Sequence, residues 1–166
     1  MRNTPTLGTR SSFVVVLLGL ALGAAACGSS GGGNADAFVG TWTFQSGTLT
    51  PMNCSLGGTN VPPQDLTGAQ LVVTKIDASH VSAMLTSTCT PTFGTSGSTA
   101  TAAANQTCGV MASGLTVTVA ISSWTMNVTG NSMTTAMSGS VAILPGCTVS
   151  GTGSLTKTSG GDAGGQ

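Results

Sequence analysis

LTVTVAI, residues 115–121, places Leu115, Val117, Val119 and Ile121 at every second position, with threonine and alanine between them. A period of two in largely β-branched residues fits a half-buried strand. An amphipathic helix would return its apolar residues every three or four places. Just beyond, the parity switches: after Ser122-Ser123 the apolar residues are Trp124, Met126 and Val128. A β-bulge inside one long strand produces such a switch, and so does a turn between two strands. The bulge predicts seven strands in all and the turn eight, and the eight-stranded reading is preferred.

The alternation recurs outward from this stretch. Trp42 and Phe44 alternate with Thr41, Thr43 and Gln45, and Leu71 and Val73 alternate with Val72 and Thr74. Met133, Met137, Val141 and Ile143 share one parity, as do Cys147, Val149, Gly151, Gly153 and Leu155. Turn residues separate these runs at Asp77-Ala78-Ser79, Ser113-Gly114, Gly130-Asn131 and Pro145-Gly146. No stretch of useful length has helical spacing. Residues 37–157 therefore read as one antiparallel all-β domain of about 120 residues. Its large apolar residues are few, so the core is modest and cross-links matter to it.

Upstream, Phe13 to Ala26 (FVVVLLGLALGAAA) is uncharged and mostly aliphatic, and it follows Arg2 and Arg10 with no acid among them. A positive start, a short apolar run and small residues at its end make residues 1–26 an export signal peptide. The run is shorter than the roughly 20 residues that a membrane-spanning helix needs. Ala24-Ala25-Ala26-Cys27 resembles the lipobox of bacterial lipoproteins, which implies cleavage before Cys27 and lipid attachment to its sulfur. Ala24 stands where leucine is usual in that motif, and an ordinary secretory cleavage site is the alternative. Of five cysteines, lipidation of Cys27 leaves an even set, Cys54, Cys89, Cys108 and Cys147, as expected for two disulfides in an exported domain. Residues 27–36, rich in Gly and Ser, read as a tether, and residues 158–166 as a Gly-rich tail. Gly28 rather than aspartate after the cysteine resembles the sorting signal for the outer membrane.

Beyond residue 26 the chain carries Lys75 and Lys157 against Asp36, Asp65, Asp77 and Asp162, two minus four, or −2, with no Arg or Glu. Such a balance excludes nucleic-acid binding, which needs a basic footprint. It also gives no pull toward anionic lipid headgroups.

Val39-Gly40-Thr41-Trp42 opens the first alternating run, and it resembles the Gly-x-Trp motif at the start of lipocalins and related calycin barrels. The resemblance implies a small antiparallel up-and-down barrel of seven or eight strands, with Gly40 and Trp42 at the start of the first. It also implies a basic residue over the tryptophan from the end of the last strand, where Lys157 stands in place of the usual arginine. The second motif of that family, Thr-Asp-Tyr, and its C-terminal helix have no counterpart here. An Ig-like β-sandwich with Trp42 as core filler is the alternative. First and last strands are neighbours in a closed barrel, so the barrel reading pairs Cys54 with Cys147. It also pairs Cys89, ending the third strand, with Cys108, beginning the fourth, across a long loop.

Candidate chemistry is sparse. His80 is the only histidine, and with Asp77 it flanks a tight turn, where an aspartate commonly bonds its own backbone. No Gly-x-Ser-x-Gly elbow occurs, and Asp65 in Pro-Pro-Gln-Asp reads as a turn residue. Met84, Met111, Met126, Met133 and Met137 have the spacing of core fillers more than of thioether metal ligands. Asn53, Asn105 and Asn127 begin glycosylation sequons, which carry no weight in a bacterial lipoprotein. The expectation is a protein with no catalytic residues, metal or cofactor. By resemblance it is lipid-anchored at the bacterial outer membrane and binds a small apolar ligand in the barrel mouth, with inward Gly151 and Gly153 either leaving room for it or fitting a tightly packed interior. The alternatives are a secreted protein, and an envelope structural or protein-interaction module with no small-molecule site.

Overall fold

Each alternating segment becomes a strand because its apolar parity falls on one side of a pleated surface. The structure, a computed structural model, describes residues 34–56, 58–112 and 115–159. The signal peptide, residues 27–33 of the expected tether (Cys27 among them) and residues 160–166 of the expected tail lie outside the described residues, while residues 35–36 are helical and residues 158–159 end the last strand. A one-turn helix α1 (Ala35–Phe38) leads into strands β1 (Gly40–Met52), β2 (Ser55–Leu56), β3 (Thr59–Asn60), β4 (Gln64–Asp65), β5 (Gln70–Lys75) and β6 (His80–Met84). There follow β7 (Thr92–Ser96), β8 (Thr99–Ala102), β9 (Thr107–Ala112), β10 (Leu115–Thr129), β11 (Ser132–Val141) and β12 (Thr148–Ser159).

Eight of these, β1, β5, β6, β7, β8, β10, β11 and β12, pair antiparallel with successive neighbours, and β12 returns to β1. The result is a closed up-and-down barrel, not a sandwich. Closure sets Trp42 opposite Lys157 and Leu49 opposite Gly151. The small two-stranded ribbon β2–β3 lies apart from the barrel sheet.

Ser122-Ser123 is a bulge, not a turn: β10 runs through it, with a register shift between Ile121 and Ser123 against β11. Ile121 and Trp124 are both buried as a result. The count is nevertheless eight, because the expected long loop between Cys89 and Cys108 contains the hairpin β7–β8. Cys89 itself falls in the connection after β6, held by a lone bridge to Thr86. The hairpin's inward residues are Phe93, Thr95 and Ala100. With one large apolar residue among them, the alternation leaves little hydrophobic signal. Three further core expectations are overturned. Met84 and Met111 are exposed, and Ile143 lies beyond the end of β11 in solvent. Met126 and Met133 are buried as expected, and Met137 is partly so.

One end of the barrel is shut. α1 packs Ala35 and Phe38 into the core, and Trp42 is buried with its indole N–H donating to the Phe38 carbonyl at 2.7 Å. Lys157 places its Nζ 5.4 Å from the Trp42 ring centroid, the contact that the family resemblance implies. Phe93 meets Trp124 edge-on at 5.4 Å, and Met126, Met133 and Leu155 complete this part of the core. The inward glycines serve packing rather than space. A Cβ on Gly153 would stand 2.6 Å from Phe44 Cε1, and one on Gly151 would stand 2.9 Å from Met137 Cγ. Gly153→Ala is therefore expected to destabilise the fold by about 1–3 kcal/mol, read as a lower denaturation midpoint. An unchanged midpoint would mean that Phe44 yields freely.

Candidate ligand cup at the open end of the barrel

The strands differ in length, and this creates the site. β1, β10, β11 and β12 run for 13, 15, 10 and 12 residues, while β5 to β8 run for six, five, five and four. The long strands stand above the short ones as an incomplete wall. There β4 takes the place of β5 beside β1, and β9 takes the place of β8 beside β10. This overhang encloses an apolar cup of about 260 Å³. Leu49 and Pro51 of β1, Val149 of β12, Val141 of β11, Val117 of β10 and Val110 of β9 line it, with Val61, Pro62 and Pro63 across one side.

Both expected disulfides form, Cys54–Cys147 and Cys89–Cys108. The first lies in the wall of the cup and ties the segment after β1 to the start of β12. The second ties the connection after β6 to β9. Two disulfides in one small domain fit an oxidising, extracytoplasmic compartment. Among the described residues, Gln64 is the one side chain in the lining that can form strong hydrogen bonds, and no charged residue borders the cup. Beneath it the interior is filled down to a void of about 20 Å³ beside Phe44, Trp124 and Met137. Met52, Met111 and Ile143, 51%, 57% and 69% exposed, lie at the open end.

Among the described residues the charged groups gather at the opposite, closed end, except Asp65, which lies in β4 of the upper wall. Lys75 Nζ pairs with Asp36 at 2.8 Å in an exposed contact of little energetic weight. Asp77 caps the β5–β6 turn, accepting from the Ser79 backbone N–H at 2.7 Å and its hydroxyl at 3.0 Å, with His80 Nδ1 2.9 Å from its other oxygen. Ser79 Oγ lies 3.1 Å from that same Nδ1. A hydrolytic relay needs the serine and the aspartate on different ring nitrogens, so this trio is a turn, as the sequence suggests. Asp65 likewise accepts from the Thr67 N–H and hydroxyl, which lower its pKa.

The Ser79 N–H, and after it His80, pull the Asp77 carboxyl down to about 2. A depressed folded pKa means that the turn's contribution to stability is present above the ordinary carboxylate range and is lost as pH falls through about 2. Carbon-detected NMR titration is expected to place the Asp77 midpoint at about 2. A midpoint near 3.8, the ordinary value, would mean that the cap does not persist in solution.

Of the residues singled out in the sequence, the structure brings Cys54 and Cys147 to the cup, Gly151 to the packing below it, and Gly40, Trp42 and Lys157 to the closed end. Val110, Val61 and Pro62-Pro63 were missed as site residues. The proline pair alone marked that segment as irregular. Compared with known proteins, the chain matches no family model, no curated protein and no solved structure.

Proposed function

We propose that this protein is a bacterial lipoprotein, anchored through Cys27 to the outer membrane, whose lipocalin-like barrel binds a small apolar ligand noncovalently in the open-end cup. The observation that carries this reading is the cup itself: concave, apolar, free of charge, and held open by a disulfide in its wall. It recognises a neutral molecule by shape and apolar burial, with Gln64 to orient at most one polar group. The shallow floor favours a compact ligand over one threaded through the barrel.

The chain's path supports an orientation. Asn34 precedes α1 and Ser159 ends β12, so both ends of the described chain lie at the closed end. From Cys27 to Asn34 the backbone can span at most roughly 25 Å. A lipid on Cys27 would therefore hold the closed end toward the membrane and turn the cup away from it. Ligand would then arrive from the aqueous side.

A neutral naphthylamine fluorophore is the direct probe. Its emission is expected to rise on adding the oxidised domain, and Val149→Trp, which fills the cup, is expected to abolish the rise. An equal rise with both proteins would place binding elsewhere and sink the cup reading. Intact mass of the native membrane form tests the anchor separately: added diacylglycerol mass on a chain beginning at Cys27 is expected, and an unmodified cysteine there would refute it. The cup's volume lies just below the few hundred Å³ usual for ligand pockets. That observation favours the second reading, an interaction module with no small-molecule ligand.

A further inference from the structure

The incomplete upper wall has two ends, β4 and β9, and they are finished differently. The edge of β4 is blunted: Pro62 and Pro63, which lack N–H donors, lead into it, and Asp65 lies within it. Proline and charge are the usual means of keeping foreign strands off an edge. β9 is the terminal strand of the sheet and carries neither, with the sequence TCGVMA.

The register says which of its backbone groups are free. Gln106 accepts from the Ile121 N–H, so by alternation Cys108 and Val110 bond β10, while Gly109 and Met111 turn their N–H and C=O groups away from it. Gly109 is satisfied: its N–H donates to the Thr88 carbonyl, and its carbonyl accepts from the Thr86 and Thr88 hydroxyls. Met111, one step further up, has no such partner among the described residues. It is exposed and borders the cup.

We propose that the β9 edge at Met111 receives an extended, uncharged peptide segment of a partner protein by strand addition, with one apolar side chain of that segment seated in the cup. Main-chain hydrogen bonds then supply register, and the cup supplies side-chain selection. The chemistry of the partner follows from the surface: among the described residues no charged one lines the cup or lies in β9, so a charged side chain in the added strand would lose its hydration without gaining an ion partner. The proposal rests on the cup's being an apolar recognition site, but not on its holding a small molecule.

The test is NMR on the isotope-labelled, disulfide-intact domain with a blocked peptide of alternating threonine and valine, about six residues long. The expected result is slowed hydrogen exchange at the Met111 amide. A peptide N-methylated at alternate residues, unchanged in side chains, is expected to bind about tenfold more weakly or worse. Met111→Pro is expected to weaken the unmodified peptide similarly, because it removes an N–H that β10 does not use. The fluorophore response of the unsubstituted domain, read in parallel, separates the two failures: a response without peptide binding marks failure of the edge, and no response to either marks failure of the cup. Equal binding of both peptides, a bound peptide that leaves Met111 unprotected, no binding, or self-association of the domain through β9 in sedimentation would each overturn strand addition.

Discussion

Replacing Cys54 and Cys147 together by alanine is expected to lower stability by about 4–5 kcal/mol, the larger of the two disulfide losses. The two cysteines are 93 residues apart, so the cross-link removes more freedom from the unfolded chain than Cys89–Cys108, at a separation of 19. The shorter loop is expected to cost about 3 kcal/mol. Guanidinium denaturation of the two double variants measures both. The long-loop variant should also lose the fluorophore response, because nothing else covalent holds the segment after β1 to the cup's wall. Equal losses for the two variants, or a larger one for the short loop, would mean that strain or residual structure outweighs chain entropy here.

Trp42→Ala is expected to cost about 3–5 kcal/mol. The indole fills the closed end against Phe38, donates to its carbonyl, and lies beneath Lys157. Its removal leaves a cavity, an unpaired carbonyl and an unstacked lysine together. Trp42→Phe keeps much of the volume but not the donor and is expected to cost less than half as much. The same denaturation curves, with Trp124 fluorescence as probe, give the comparison. If Phe proves as damaging as Ala, the hydrogen bond rather than packing seals this end.

The barrel was legible in the sequence where large and β-branched residues alternate, as from Leu115 to Ile121 and from Val149 to Leu155. It was illegible at β7–β8, where the buried Thr95 and Ala100 are too small or too polar to mark an alternating hydrophobic pattern. The bulge at Ser122-Ser123 was visible as a change of parity. Its meaning was not, since a turn leaves the same trace. Trp42 under Lys157 followed from family resemblance and from nothing in the spacing. The cup was least legible of all. Val117, Val141 and Val149 look like any core residues, and they become a lining only because their strands outrun β5 to β8, a mismatch that depends on where every neighbouring strand stops.

The seam between β1 and β12 has a consequence for the order of events in the cell. The first strand of the barrel pairs with the last, Thr41 opposite Ser159. Contacts so distant in sequence form slowly and late. No partial product of translation holds the strand that closes the sheet, so the barrel cannot finish folding until the C-terminal strand has been made. If the chain is exported, one captured early by the channel would still be loose enough to thread, and Cys54 would meet Cys147 only after crossing.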